Sequence, residues 1–292
     1  MKRNNTLKAN TKGGFWFVLP SIIILGGFGL VVTVANVWYS FLDWSALTDP
    51  TFVFLKNYKR FFTDKIAITS LINTFEYALM YVFPTIVISL GIALMLNSNT
   101  KAMAFFRALF YVPVITSYVI VIVVWQWFFD YDIGLFNQIL GSFGVAKQPW
   151  LLSKSMAMPS LVVLSIWKNA GYSILMFLAG LQTLDKNLEE AAMIDGAGPV
   201  RIFWHITLPQ LRPTMVLTVV MVTTWSFQMF VQPYLMTQGG PDYSTSTITY
   251  YLYQQAFSSY NVGYGSCIAV IGVAIFLVVV QLEKYLLGER RR

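Results

Sequence analysis

The residues with the most distinctive chemistry lie in one short stretch, residues 190–197, which reads EAAMIDGA. Its two carboxylates, Glu190 and Asp195, can bind basic groups of another molecule. Four other members carry almost no side chain, so that a second surface can approach the backbone closely: Ala191, Ala192, Gly196 and Ala197. The pattern predicts a docking surface, with Met193, Phe203 and Ile206 as apolar anchors. An amphipathic helix lying on lipid headgroups stays an alternative.

Polar and aromatic side chains also recur at helical spacing inside two otherwise apolar segments. Lys168, Asn169 and Tyr172 follow an i, i+1, i+4 relation. In the second segment Trp225, Met229 and Gln232 follow an i, i+4, i+7 relation, with Ser226 and Gln228 adjacent. A polar face inside a membrane span normally points into a bundle or a cavity. The sequence leaves open whether these side chains bind a solute or join one helix to another.

The chain has no motif for catalysis or for nucleotide binding. The phosphate-binding pattern Gly-x-x-x-x-Gly-Lys-Ser/Thr does not occur. His205 is the only histidine and Cys267 the only cysteine, which excludes an internal disulfide and a metal site built on several such ligands. We therefore predict that the chain is not an enzyme and that it binds no metal or cofactor itself.

The elements that position these residues must lie in lipid. The chain is 57% hydrophobic and 11% charged, and its apolar residues fall in runs of membrane length. We predict an all-α polytopic membrane protein that forms a single domain, residues 1–292. Its six spans are about 15–40, 70–96, 107–129, 159–183, 213–236 and 264–287.

The distribution of positive charge predicts the orientation. Thirteen Lys and Arg residues lie on the side of the two termini, and six lie on the opposite side. By the positive-inside rule both termini face the cytoplasm. The same rule accounts for the basic composition, so we do not expect nucleic-acid binding.

The docking stretch then lies in a cytoplasmic loop, residues 184–212, which predicts two short helices. Asn187, with Glu190 three residues later, is typical of a capping box at a helix start. Gly196 can adopt the left-handed conformation that ends a helix, and Pro199 suits the first turn of the next one.

The string from Glu190 to Pro209 closely resembles the EAA motif of the permease subunits of bacterial ABC importers. That resemblance implies a type I ABC importer permease fold with six transmembrane helices. In that family the EAA loop is a coupling helix, which docks on a separate ATPase subunit that holds ATP and Mg. Six residues of this chain would take the docking role: Glu190, Ala191, Ala192, Asp195, Gly196 and Ala197.

Further motifs resemble carbohydrate permeases, such as the larger maltose permease subunit and the glycerol-phosphate permeases. They are residues 54–58 (FLKNY), 107–113 (RALFYVP) and 239–241 (GGP). The resemblance implies binding-protein-dependent transport of a sugar or oligosaccharide across the bacterial cytoplasmic (inner) membrane. The implied substrate contacts are Asn169, Tyr172, Trp225, Ser226 and Met229, which Gln232 joins by spacing.

The resemblance also implies a set of partners. These are a second permease subunit, favoured as a different chain, two ATP-binding subunits and an extracytoplasmic solute-binding protein. The large extracytoplasmic insert of the maltose subunit is absent from this sequence.

Two other functions stay open at this point. One is an importer permease for a non-sugar solute such as a glycerol phosphate. The other is an ion-coupled secondary transporter, which usually carries more than one buried acid, whereas Glu76 is the only candidate. Glu76 and Lys168 are costly in hydrocarbon, so we expect each to face a cavity, a partner or the interface.

Overall fold

The computed structural model describes residues 16–45, 47–98 and 100–288. In this part of the chain four helices are long and apolar enough to cross a membrane, and two bent helix pairs raise the number to six. The prediction of an all-α polytopic membrane protein is confirmed, apart from one ribbon of two-residue strands, β1 (Leu42–Asp43) and β2 (Thr51–Phe52). The basic residues near the N-terminus and Arg290 to Arg292, used to predict the orientation, lie outside the described residues.

The helices have the following bounds in chain order. The first six are α1 (Trp16–Tyr39), α2 (Lys56–Thr63), α3 (Lys65–Met95), α4 (Lys101–Ile115), α5 (Tyr118–Phe128) and α6 (Leu135–Ser142). They are followed by α7 (Lys154–Gln182), α8 (Lys186–Ile194), α9 (Pro199–Gln210), α10 (Arg212–Phe227), α11 (Ile248–Tyr253) and α12 (Val262–Leu286).

The described contacts divide the chain into two compact units. One unit comprises residues up to Thr63 together with Leu252–Ile271. Within it Asn57 donates its side-chain amide to the carbonyls of Ser40 (3.0 Å) and Leu42 (2.8 Å). These bonds tie α2 to the turn that follows α1, which gives the asparagine of the FLKNY motif a structural role.

The second unit, Asp64–Tyr251 with Gly272–Arg292, contains the candidate sites. Helix α7 is its central element and packs along α3, α4 and α10. Small residues permit the closest approaches, as expected where helices associate in lipid. A Cβ placed on Gly171 would lie 2.1 Å from the carbonyl oxygen of Phe110, so that only glycine permits this contact between α7 and α4.

The apolar segment predicted as a span at 107–129 is not one straight helix. Helix α4 ends at Ile115, α5 begins at Tyr118, and the chain bends by 95° between them. Pro113 lacks a backbone donor, and Thr116 adopts an extended conformation with ψ 142°. The side-chain hydroxyl of Thr116 donates to the carbonyl of Val112 (2.9 Å), in place of the usual backbone donor.

The segment predicted at 213–236 also departs from a continuous helix. Helix α10 ends at Phe227 and bends by 70° from α9, which precedes it. Hydroxyl groups satisfy carbonyls at the end of this helix and just after it: Thr249 donates to that of Phe227 (2.9 Å) and Thr247 to that of Met229 (2.7 Å). Because these threonines replace the helical donors, the chain can turn inside an apolar sequence.

Candidate functional site

A tight glycine corner joins α8 to α9. The Gly196 amide donates to the carbonyl of Met193 (3.0 Å), and the Ala197 amide donates to that of Ala192 (2.9 Å). This is the Schellman arrangement, and it places Gly196 at φ +80°, a conformation that favours glycine. Pro199 opens α9, so the predicted sequence of helix, glycine corner and helix is present. We call residues 186–210 the elbow.

The predicted start of the elbow is wrong. Asp185, not Asn187, is the N-cap of α8, and its Oδ1 accepts from the backbone amide of Asn187 (3.0 Å). Asn187 lies in the first helical turn and donates its own side-chain amide to the same oxygen (2.9 Å). Aspartate and asparagine are about equally good caps, so the sequence does not separate two candidates two residues apart.

The small and acidic residues of the elbow lie at its surface. Glu190, Ala191, Asp195 and Gly196 are exposed, whereas Ala192 and Ala197 are half-buried. Large apolar side chains surround them in solvent: Ile194 is 86% exposed, Val200 71% and Trp204 59%. Met193 is also exposed, as expected of an apolar anchor. Phe203 and Ile206 are half-buried, so they expose less apolar surface than Met193, and their anchoring role stays a prediction.

One carboxylate fixes the two arms of the elbow to each other. Thr207 of α9 donates its hydroxyl to Glu189 of α8 (2.9 Å). The backbone amide of Asp185 donates to the Gln210 side chain (3.2 Å), which ties the loop entrance to the end of α9. An open groove of about 750 Å³ separates the elbow from the C-terminal ends of α3 and α7. The elbow is thus held as one body, and four of the six predicted docking residues are exposed on it.

A second concave site lies inside the helix bundle and encloses about 200 Å³. Four of the six predicted substrate residues line it: Asn169, Trp225, Met229 and Gln232. Gln228 also lines it, and three tyrosines from α3 and α5 complete the polar part of the wall: Tyr77, Tyr81 and Tyr118. The cavity therefore combines amide and hydroxyl groups with aromatic faces, the chemistry that binds polar organic solutes.

The polar groups of the cavity wall bind each other. Gln232 donates to the Tyr118 hydroxyl (2.7 Å) and to Ser165 Oγ (3.1 Å). Asn169 donates to the Tyr81 hydroxyl (3.2 Å), and the rings of Tyr81 and Tyr77 stack with centroids 5.4 Å apart. These contacts join α3, α5, α7 and the segment after α10 around one volume.

Two predicted substrate residues do not line the cavity. Ser226 is fully buried, and its hydroxyl donates to the carbonyl of Thr223 (2.7 Å) in its own helix. Tyr172 lies one layer away, and its ring packs edge-to-face with that of Trp225, with the ring centroids 5.2 Å apart. The i, i+4, i+7 residues Trp225, Met229 and Gln232 all line the cavity, as predicted. Ser226 directly follows Trp225 in the helix, so its side chain points away from the cavity.

The charged residues within the spans have separate environments. Lys168 is 4% exposed and donates to the carbonyl of Val114 (2.9 Å). Glu76 lies on an exposed face of α3, and no ion pair joins it to Lys168 among the described residues. The expectation of a single buried acid is wrong, since Glu283 of α12 is half-buried and accepts from Thr223 (2.6 Å).

Comparison with known proteins assigns this architecture. Residues 85–292 match the family described as binding-protein-dependent transport system inner membrane component. The chain belongs to that family. As a member, it is the permease of a binding-protein-dependent importer, and the alternative of an ion-coupled secondary transporter is set aside.

Several relatives of this permease transport carbohydrates. It is 34% identical to the arabinooligosaccharides transport system permease protein AraP of Bacillus subtilis (strain 168), over 85% of this chain and 75% of AraP. It is 30% identical to the trehalose/maltose transport system permease protein MalF of Thermococcus litoralis, over 91% of this chain and 90% of MalF.

A solved structure has the same fold. A chain of a bacterial alginate ABC transporter, crystallised with an alginate pentasaccharide-bound periplasmic protein, superposes with a TM-score of 0.82. The match covers 97% of this permease and 96% of that chain at 19% identity. The predicted importer-permease fold is confirmed.

The sequence patterns predict only part of each site. Tyr77 and Tyr81 are one helical turn apart, and Tyr118 follows the break at residues 116–117, but apolar runs rich in aromatics give no signal for a cavity. The exposed apolar residues of the elbow could have been found from helical position: Ile194 is the last residue of α8, and Val200 and Trp204 lie in the helix that follows Gly196.

Proposed function

We propose that this permease imports a saccharide across the bacterial cytoplasmic membrane, using ATP that separate subunits hydrolyse. Residues 1–292 act as one permease domain with both termini in the cytoplasm. The chain itself binds no cofactor, and ATP and Mg bind to the partner ATPase. The assembly contains a second permease, two ATP-binding subunits and an extracytoplasmic solute-binding protein. The observation that carries the proposal is an exposed elbow on the same chain as a polar, aromatic cavity.

The elbow docks on the ATPase subunit. Its rigid backbone is satisfied by the Schellman bonds, so that binding need not order a flexible loop. Ala191 and Gly196 let the partner approach the backbone, and Glu190 and Asp195 offer carboxylates at the same surface. The exposed side chains of Ile194 and Trp204 supply the apolar area that typically anchors an interface.

The cavity binds the saccharide during transport. Asn169 and Gln232 supply amide groups, the tyrosines supply hydroxyls, and Trp225 supplies an aromatic face for the C–H surface of a sugar ring. At about 200 Å³ the cavity is smaller than the roughly 300–1,000 Å³ of most small-molecule sites. The second permease therefore contributes part of the wall. Tyr172 packs against Trp225 and does not contact the saccharide itself, and neither does Ser226.

The chemistry of the wall favours a saccharide over a glycerol phosphate. Among the described residues that line the cavity none carries a formal charge. A phosphate group is usually bound by arginine, lysine or backbone amides at a helix N-terminus. The names of the relatives AraP and MalF agree with a saccharide.

The test is ATP hydrolysis by the reconstituted importer, with its binding protein loaded with different solutes. We expect a neutral oligosaccharide to stimulate hydrolysis and drive uptake into vesicles, whereas glycerol 3-phosphate does neither. Stimulation by glycerol 3-phosphate alone, or uptake without any ATPase subunit, would contradict the proposal.

A further inference from the structure

The bend between α4 and α5 leaves a backbone carbonyl without its helical partner. In a continuous helix the carbonyl of Val114 would accept from the amide of residue 118. The 95° turn at residues 116–117 removes that bond inside an apolar segment. An unsatisfied carbonyl is costly in such a place, so a bend needs another donor.

Lys168 of α7 supplies this donor. Its Nζ lies 2.9 Å from the carbonyl oxygen of Val114 and 5.2 Å from the ring centroid of Tyr118, the first residue of α5. The same side chain thus contacts both sides of the break, through a hydrogen bond and a cation–π contact. Gly171, one turn further along α7, holds α4 close enough for the lysine to reach.

Tyr118 carries the effect of this contact into the cavity. Its ring lines the cavity, and its hydroxyl accepts from Gln232 (2.7 Å), which also donates to Ser165 of α7. Lys168 itself does not line the cavity. The ring of Tyr118 is therefore held on one face by a lysine from outside and at its hydroxyl by the cavity wall.

We propose that Lys168 is a positioning residue for transport, because it holds the α4–α5 bend and so places Tyr118 in the cavity wall. The part of this inference that concerns transport rests on the proposed saccharide cavity. The part that concerns the bend does not, and the two can be measured separately.

The first measurement is the distance between spin labels on the two arms of the bend, in the complete importer. The labels are placed at exposed positions, Ala102→Cys in α4 and Val124→Cys in α5, with Cys267→Ala to remove the native thiol. Helix geometry gives about 22 Å for the bent pair and roughly 30 Å for a straight one. We expect Lys168→Met to broaden the distance distribution towards longer values, and Lys168→Arg to restore it.

The second measurement is saccharide-stimulated ATP hydrolysis. We expect Lys168→Met to raise the half-saturating concentration of loaded binding protein about tenfold and to change the maximal rate less than twofold, since Tyr118 is displaced while the elbow is intact. Lys168→Arg keeps a donor and a cation, and it restores most of the affinity. If the methionine variant does not assemble, Lys168→Gln, whose amide is too short to reach Val114, replaces it.

An unchanged distance distribution in Lys168→Met, or an equal loss of affinity in the methionine and arginine variants, would overturn the inference. The control for the cavity is Asn169→Leu, which leaves the bend untouched. If that variant binds and transports saccharide normally, the proposed cavity is wrong, and the distance measurement alone decides the role of Lys168 in the bend.

Discussion

The elbow and the cavity differ in how they satisfy their polar groups. At the elbow the backbone is closed by its own hydrogen bonds, and the side chains of Glu190, Asp195 and Ile194 are exposed to a partner. In the cavity the side chains bind one another, as Gln232 does with Tyr118 and Ser165. One exposed side chain of the elbow can therefore be replaced without disturbing the others. In the cavity, replacing one residue also removes a hydrogen bond from its neighbour.

The difference separates two kinds of variant. A substitution at the elbow should impair the use of ATP and leave saccharide preference unchanged. A substitution in the cavity should alter the dependence on saccharide and leave assembly with the ATPase intact.

Gly196→Trp should have the largest effect, a loss of ATP-driven uptake by about a hundredfold. The bulky side chain blocks the approach of the ATPase, and the positive φ adds about 1–2 kcal/mol of strain. The measurement is uptake into proteoliposomes. Gly144→Trp is the matched control, since Gly144 has φ +73° and open surroundings in the predicted outer loop at 130–158. Equal losses of uptake in both variants would mean that backbone strain, and not a blocked ATPase contact, causes the loss.

Gln232→Leu should raise the half-saturating concentration of saccharide-loaded binding protein about tenfold. The change removes a ligand group and leaves Tyr118 and Ser165 without their donor. Titration of stimulated ATP hydrolysis measures it. The control is Gln126→Leu, which loses a hydrogen bond from its side-chain amide to the carbonyl of Leu235 (2.9 Å), away from the cavity. This variant should be close to wild type. A similar rise in the half-saturating concentration for the control would show that the effect is not specific to the cavity.

Trp204→Ala should weaken the association with the ATPase subunit about fivefold, because an exposed aromatic anchor is lost. Its thermal stability in detergent should be unchanged. Binding of the purified ATPase subunit to the permease complex measures the effect. Phe143→Ala, which removes an exposed ring in the predicted outer loop, should bind the ATPase normally. Normal binding by the Trp204 variant would exclude this side chain from the docking surface.

Ser226→Ala should have the smallest effect, less than twofold on the saccharide dependence of ATP hydrolysis. The hydroxyl donates within its own helix and does not reach the cavity, so its removal costs only about 0.5–1.5 kcal/mol of stability. The same titration as for Gln232→Leu measures it. A tenfold shift would restore Ser226 to the substrate contacts that the sequence predicts.

The sequence was most informative where physical chemistry acts on a whole segment. A helix lies in each apolar run because only helices satisfy the backbone in lipid, and Gly196 ends α8 because few other residues adopt its conformation. The EAA pattern predicts the position of the elbow because it too rests on local features. Its small residues and its glycine are local features that can be read one by one.

Tertiary contacts decided what the sequence did not predict. The break at residues 116–117 depends on Lys168 and Thr116 as donors, and hydropathy does not register either bond. The cavity depends on Tyr77, Tyr81 and Tyr118, which come from two helices and meet only after folding. Asp185 and Asn187 compete as helix caps, and the hydrogen bond from Thr207 to Glu189 helps to fix the register of α8.

Site-directed photo-crosslinking from the elbow shows whether this surface docks on the ATPase subunit. A benzophenone side chain at Ile194, which is 86% exposed, is activated in native membranes that contain the complete importer. We expect a covalent adduct with the ATPase subunit, and we expect its yield to change when ATP is added. An adduct with lipid or with the extracytoplasmic binding protein, and none with the ATPase, would contradict this expectation.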